Sequence, residues 1–534
     1  MSDDKREMSL FRERLARYQT SEGERRWCFV AYDQLNDSLG LLAELAPERI
    51  GIVLVESAWK ARRRPYHKQK LALLLASQRH FALEQAQRGV AVRYLIGEAP
   101  YAEQLLSVTE ALGPLEMMTP AEYELRTHLE PLVTSGHLRQ VPHTGWLTEV
   151  SDFQRATHGT KRWRMDRFYR AVRKRRGVLL DDQGGPLGGK WSHDADNRKP
   201  WRGEPEAPTP PRFEVDPITE EVCQLVRDRF ADHPGRLVPE AIPATAAQVE
   251  ALWAWVLSAC MPHFGPYEDA MSYGSRQLFH GRISGLLNLH RLMPERVISE
   301  VEALDIPLNS KEGFIRQVLG WREFVHHIHE RSDGFRKDTG EGGDPLTSAR
   351  PNHLGAQADL PKSYWGEVPS GFACLDQAVK EVWEDAYTHH INRLMVLSNW
   401  ATLLNVSPRA LTDWFWVGFE DAYDWVVEPN VLGMGTFALG DQMVTKPYVS
   451  GSAYIHRMSD YCSRCAFDPK RTCPMTPLYW QFLERHKETL GRNPRLGVIM
   501  AALRKRSPEK KAADKAHFDT ITARLAQGLP SEPS

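Results

Sequence analysis

The sequence predicts an N-terminal α/β domain built on a doubly wound parallel sheet, followed by a large all-α domain. Three observations carry this expectation. At 534 residues the chain exceeds what one core organises, so two or three domains are expected. Between residues 26 and 145 short apolar runs alternate with helical stretches, as in a mostly parallel sheet. From 246 to 505 apolar residues recur at steps of three and four, the period of helices with one buried face.

Residues 1–25 form a charged N-terminal extension without the apolar stretch of a signal peptide. RWCFVAYDQL from Arg26, IGIVLVES from Ile50 and VAVRYLI from Val90 read as buried strands. HKQKLALLLASQRHFALEQAQRG from His67 supplies a helix between the last two. No GxGxxG turn follows the first strand and no P-loop occurs, so this half carries no dinucleotide or triphosphate signature. Residues 146–245 shift in composition to a basic stretch, then Gly184, Gly185, Gly188 and Gly189, then PEAPTPPRF. They read as a connector with functional content. Beyond it, GFIRQVLGWREFVHHI places Phe314, Val318, Trp321, Val325 and Ile328 on one helix face. A second helix is expected over 375–404 through Val379, Trp383, Ala386, His390, Leu394 and Leu397, which points His390 inward. Residues 506–534, Lys- and Ala-rich, read as a flexible tail.

Hydrophobic content of 42% and charged content of 26% are those of an ordinary globular chain. The net charge of −1 restricts any nucleic-acid affinity to a local patch. No apolar run reaches bilayer length, so a cytoplasmic, monomeric protein is expected, and its cysteines serve as thiols or metal ligands before disulfides. Cys28, Cys223 and Cys260 are isolated and read as small buried hydrophobes.

YCSRCAFDPKRTCP brings Cys462, Cys465 and Cys473 within reach of one metal, and Cys374 is the best fourth ligand. Four thiolates without a nearby histidine suit structural zinc or an iron–sulfur cluster. The lack of a second CxxC and the Cys-Pro after the last ligand favour a [4Fe-4S] cluster. In KRWRMDRFYRAVRKRR, residues 161–176, nine Lys or Arg stand against one Asp, interleaved with Trp163, Phe168 and Tyr169. Such a stretch neutralises phosphates and offers rings to bases; it also suits a solvated basic helix face.

Four segments resemble the photolyase/cryptochrome superfamily, in its iron–sulfur bacterial branch of (6-4) photolyases and related photoreceptors. They are FHGRISGLLNLHRLMP from Phe279, IRQVLGWREF from Ile315, DAYTHHINRLMVLSNWA from Asp385 and DAYDWVVEPNVLGMGTFALG from Asp421. The likeness extends to GGKWSHDADNRKP from Gly188 and DQL from Asp33, and so over nearly the whole chain. It implies a helical FAD-binding domain over 246–505 and an antenna-binding α/β domain over 26–145. Tyr267, His280, Arg282, Ile283, Ser284, Gln317, Trp321, Arg322, Arg393, Asp421 and Asn430 are the implied FAD residues. Ser284 and the helix start would hold the pyrophosphate, since helix N-termini attract anions. Gln317, Trp321 and Arg322 would face one flavin pocket. Arg393 and Asp421 stand 28 residues apart, the family's spacing for an ion pair beside flavin N5. The sixth position after Asp421, polar in relatives, is Val427.

His390, with His389 beside it, is the implied proton donor to a (6-4) photoproduct; as a lone histidine it would read as core. Trp414 and Trp365 match electron-relay positions. Phe415 replaces the relatives' Tyr, which leaves a slow relay or a detour through Trp416. Asp33, Gln34, Leu35 and Glu56, at strand ends, would hold a 6,7-dimethyl-8-ribityllumazine antenna, although polar turn residues read the same way. Lys161, Arg162, Arg164, Arg173 and Lys174 would contact UV-damaged DNA. A divalent cation such as Mg2+ is implied without placeable ligands. The functions implied are light-driven (6-4) repair or, alternatively, cryptochrome-like photoreception.

Overall fold

The computed structural model describes residues 9–21, 23–160, 162–336, 349 and 351–533. Lys161 lies outside them. Strands β1 (Arg26–Phe29), β2 (Ile50–Ser57), β3 (Ala91–Gly97), β4 (Leu115–Met118) and β5 (Leu138–Val141) form one sheet in the order β3-β2-β1-β4-β5. Every pairing is parallel. All of β2 is buried, as a strand covered on both faces must be. The order turns between β1 and β4, where an open sheet leaves a crevice at its carboxyl ends. Asp33, just past β1, spans that crevice: its Oδ2 accepts the Ala121 N–H at 2.7 Å.

The remainder is largely helical. Both chain ends carry packed helices, which corrects the expectation of a flexible tail. Within 1–25, the Leu10–Ala16 helix buries Phe11 and Leu15, and the Phe11 N–H donates to Glu221 of the Pro217–Arg229 helix. In the expected tail, Pro508–Ala526 is a helix that buries Ile521 and Leu525, and the Ser531 N–H donates to the Ser370 carbonyl. The connector holds helices Val150–Thr157, Met165–Arg176 and Pro217–Arg229. Its Phe153 and Phe168 pack on Phe324 of the helical half, so it belongs to the main core.

Two features decide where site residues point. The helix expected over 375–404 is broken: Ala373–Asp385 ends at Ala386, which takes a left-handed φ of 52°. The break is held by the Glu420 N–H bonding the Ala386 carbonyl and by Arg276 bonding Asp385. Wide π-helical turns occupy Arg316–Arg322, Asn392–Ser398 and Glu428–Gly435, and each shifts the register of the side chains after it. Among the described residues no helix is long and apolar enough to cross a membrane.

Candidate functional site

The break at Ala386 sets His389 and His390 at the start of the following helix, with Arg393 a turn later. Arg393 Nη1 and Nη2 donate to Asp421 Oδ1 and Oδ2 at 2.9 and 3.0 Å, and its Nε donates to the Thr388 carbonyl at 2.7 Å. Ser284 Oγ adds a 2.6 Å bond to Asp421. Burial alone would raise the Asp421 carboxyl, but the guanidinium and these bonds hold it below the usual range. Ser284 therefore braces the ion pair in this structure, on a helix of five residues, Ser284–Asn288.

His389 is buried and stacks on His280, centroids 4.6 Å apart and planes 5° apart. His280 Nε2 and His389 Nδ1 are buried without a protein partner. Burial, reinforced by neighbouring positive charge, pushes both imidazoles well below their usual range and keeps them neutral. His390 does not point inward as expected. Its side chain is 41% exposed, because the break turns it off the stripe. Its Nε2 lies 3.7 Å from Asp269 Oδ1, and its ring meets His280 edge-on at 5.4 Å. Nitrogens of His280, His389 and His390 lie within 4.8 Å of one another. An all-imidazole set suits Mg2+ poorly, since Mg2+ demands oxygen ligands.

A large cavity, open to solvent, is lined by Gly281, Arg282 and Gly285, by Arg276, Gln277 and Glu420, and by Trp201 and residues 206–213 of the connector. Gln277 Oε1 is a further buried acceptor without a protein partner. Arg282 adopts φ 51° and donates to the Asp385 carbonyl and to Glu420. Burial pushes the Glu420 carboxyl up to about 7, so near neutrality its hold on Arg282 weakens and an anion can compete. A dinucleotide cofactor fits this set of orphaned polar atoms and arginines.

The expected flavin residues divide. Arg282 lines the cavity; Tyr267 packs with Trp201 and Ala207 of its wall, and Ile283 is buried. Gln317, Trp321 and Arg322, on the π turn Arg316–Arg322, make separate contacts. Gln317 donates to Glu268 at 2.6 Å. Trp321 meets Phe324 edge-on. Arg322 is buried over Trp146 and donates to Glu323 and the Leu287 carbonyl. Asn430 bonds within its own turn, to the Val426 carbonyl. Sequence reasoning missed Glu268, Asp269 and Arg316. They tie the GGKWSHDADNRKP segment to the site through Asn197–Glu268 at 2.8 Å and Arg316–Asp194 at 3.0 Å. The run of charges in that segment was the available signal.

Cys374 opens the Ala373–Asp385 helix, Cys462 lies on the turn Tyr461–Arg464, Cys465 ends that turn, and Cys473 precedes the Met475–Arg485 helix. Trp400 Nε1 donates to Cys374 Sγ at 3.4 Å. Burial, then the neighbouring thiols, push Cys462 up to about 11 and Cys473 up to about 12. Cys374 is raised by burial and by the other three thiols, against the Trp400 bond. Four thiols near enough to raise one another become ligands only when a metal's charge deprotonates them, so the donor set fits a thiolate-bound centre.

A (6-4) photolyase of Agrobacterium fabrum is 33% identical over 482 residues, 87% of this chain and 92% of the relative. The chain belongs to the photolyase/cryptochrome superfamily. Residues 28–241 match the family described as deoxyribodipyrimidine photo-lyase-related protein. A class III photolyase of Agrobacterium tumefaciens superposes with TM-score 0.56 at 14% identity, covering 95% of this chain and 99% of that one. A Synechocystis cryptochrome does so with TM-score 0.52 at 13% identity, covering 94% and 99%. These two establish the fold: a parallel-sheet domain followed by a helical one.

Other residues expected of this superfamily also divide. Asp33 and Gln34 face the crevice between β1 and β4, where Gln34 Nε2 donates to the Met118 carbonyl. Asp33 Oδ1 and Gln34 Oε1 are buried without a protein partner, and burial pushes Asp33 up to about 7. Leu35 is buried beside them. Glu56 is turned away from this crevice: Arg79 grips both its oxygens at 2.8 and 2.9 Å, and the Tyr94 hydroxyl adds a third bond. It lines instead a small cavity with Tyr32, Lys60, Lys70 and Trp416. In the basic segment Arg173 is buried and donates to the carbonyls of Val178, Leu179 and Trp191. Arg164 serves the carbonyls of Trp163, Asp441 and Gln442. Trp163, Phe168 and Tyr169 are core residues, so they offer no rings to bases. Arg162, Arg167, Arg170, Lys174 and Arg175 form the exposed basic surface, with Arg175 paired to Asp152.

Proposed function

We propose that this chain is a blue-light-driven DNA repair photolyase that reverses (6-4) pyrimidine–pyrimidone photoproducts. The observation that carries the reading is the short segment 388–393. It joins a half-exposed His390, the buried His389–His280 stack with two unpaired nitrogens, and the Arg393–Asp421 pair. Likeness to the Agrobacterium (6-4) photolyase supports the same reading. FAD would be held by Arg282 and its cavity, with Arg393 and Asp421 at its reactive end. A [4Fe-4S] cluster would bind Cys374, Cys462, Cys465 and Cys473. A ribityllumazine antenna would meet Asp33, Gln34 and Leu35.

Bound and reduced, FAD supplies the electron that opens the photoproduct. The protein's own residues do the rest. Exposed Arg162, Arg167, Arg170 and Lys174 hold phosphates while the damaged pair leaves the stack. His390 holds the proton to be given to the lesion at Nε2, with Asp269 orienting the ring. His389, neutral and stacked, fixes the wall behind it. The Arg393–Asp421 pair keeps a charged, water-poor floor.

The test is blue-light incubation with an oligonucleotide containing a (6-4) product, counting restored thymines, beside a dark control and His390→Ala. Light-dependent repair lost in His390→Ala is the expected result. Bound FAD that photoreduces without any repair would move the reading to a cryptochrome-like photoreceptor.

A further inference from the structure

The helix Glu323–Arg331 carries a second group of metal-binding side chains, His326, His327 and Glu330. Glu330 lies four residues after His326 and three after His327, so its carboxylate shares a helix face with both rings. One donor atom from each of the three lies within 4.8 Å of the other two. His326 Nε2 stands 3.7 Å from Glu330 Oε1, too far for a hydrogen bond. Two donors on one tetrahedral zinc ion sit about 3.4 Å apart when each bond is about 2.1 Å, so a small movement seats an ion between them.

Both imidazoles are prepared as ligands. His326 is 5% exposed, and its Nδ1 is buried without a protein partner, a condition that calls for something else to satisfy the ring. Its plane is fixed by Trp146, stacked at 3.6 Å, and by Trp425, edge-on at 5.9 Å. Thr148 Oγ1 gives its only proton to Glu323 Oε2 at 2.8 Å. Toward His327 it can therefore only accept, and His327 Nε2–H donates to it at 2.8 Å. Burial lowers His327 to about 4 and His326 well below the usual range, so both rings are neutral. A neutral His327 with its proton on Nε2 carries its lone pair on Nδ1. An outer acceptor of this kind sets the same tautomer in metal-bound imidazoles.

We propose that His326, His327 and Glu330 form a site for a divalent transition cation of the zinc class, with water in the remaining position. Two imidazoles and one carboxylate are the donors such an ion takes. Arg126 and Arg322 place positive charge near His326, which opposes any cation. They select against Mg2+ and Ca2+, which are held by charge on oxygen ligands, and leave the ions that bond strongly to nitrogen. Through Trp146 and Thr148 the ion would fasten this helix to the segment that follows β5, and so to the sheet domain.

The test uses untagged full-length protein, cleared of loose metal by a chelator. Zn2+ is titrated by calorimetry, and the bound ion is examined by X-ray absorption at the zinc edge. One equivalent of Zn2+ beyond any held by the cysteines is expected, with nitrogen and oxygen neighbours, no sulfur, and a higher melting temperature. Glu330→Gln alters a side chain that is 31% exposed, and its melting temperature in chelator checks that it folds. It is expected to weaken Zn2+ binding by about 100-fold or more, and Thr148→Val, which removes only the outer acceptor, by about tenfold. Unchanged affinity in folded Glu330→Gln overturns the proposal. So does binding lost in His390→Ala, which would put the ion on the His280–His389–His390 group, or a sulfur shell, which would put it on the cysteines. Wild-type protein that takes up no such equivalent also overturns it.

Discussion

Asp421 binds together three stretches of sequence: it accepts from Arg393 twice and from Ser284, and its own carbonyl takes Asn288 Nδ2 at 2.9 Å. Asp421→Asn leaves the Arg393 guanidinium without its counter-charge in a largely buried place, which costs about 3 kcal/mol. A matching drop in urea-unfolding stability, together with weakened FAD retention, is the expected outcome; an unchanged midpoint would show that the pair contributes little. Glu381 gives a second test at this scale. It is fully buried, accepts from Gln377, Thr388 and Asn392, and burial pushes its carboxyl up to about 8. An unfolded glutamate titrates near ~4.3. Between these values only the folded chain holds the proton, so stability falls as pH rises from about 4.3 to 8 and levels off above. In Glu381→Gln that decline is expected to flatten, with the variant gaining on wild type at pH 8 but not at pH 5. Parallel pH curves would remove Glu381 from the account.

The Ala373–Asp385 helix starts beside Cys374, one of the four proposed cluster ligands, carries Trp383, and ends at the break that presents His389 and His390. Cys374→Ser is therefore expected to abolish iron binding, lower the melting temperature, and raise hydrogen exchange along this helix. Metal analysis and exchange mass spectrometry would check it. Full protection without metal would show that the helix needs no cluster. Removal of the Pro508–Ala526 helix should likewise destabilise the Met475–Arg485 helix on which it packs, measured as a lower melting temperature. The elements read from sequence were those with strong period and length: β1 to β3 and the Lys68–Gln87 helix. Four-residue β4 and β5 were not legible, since LEMM and LRQV carry no pattern that a strand alone would show. The helix over 375–404 kept its apolar period across a break made by tertiary bonds to Arg276 and Glu420, which no local signal announces. Identities of the Arg393–Asp421 pair and of the cysteines were legible; the direction each neighbouring side chain takes was not.

At the scale of the whole molecule, a net charge of −1 means that DNA must be held by one face rather than by a general field. The Met165–Arg176 helix divides its cations between that face and the interior. Lys174 is exposed, its ammonium 5.4 Å from the Trp191 ring, whereas Arg173 is buried against three carbonyls. The two neighbours should therefore fail in different ways. Lys174→Ala is expected to weaken DNA binding equally across sequences and to lower the slope of log affinity against log salt by about 1, with unfolding unchanged. Arg173→Ala strips bonds from buried carbonyls, at about 1–3 kcal/mol each in the worst case, and should lower stability while leaving the salt slope of the folded fraction intact. Binding titrations at several salt concentrations, paired with urea unfolding, separate the outcomes. If Lys174→Ala leaves the slope unchanged, the Met165–Arg176 helix is a solvated basic face, and the phosphate contacts lie elsewhere around the His390 opening.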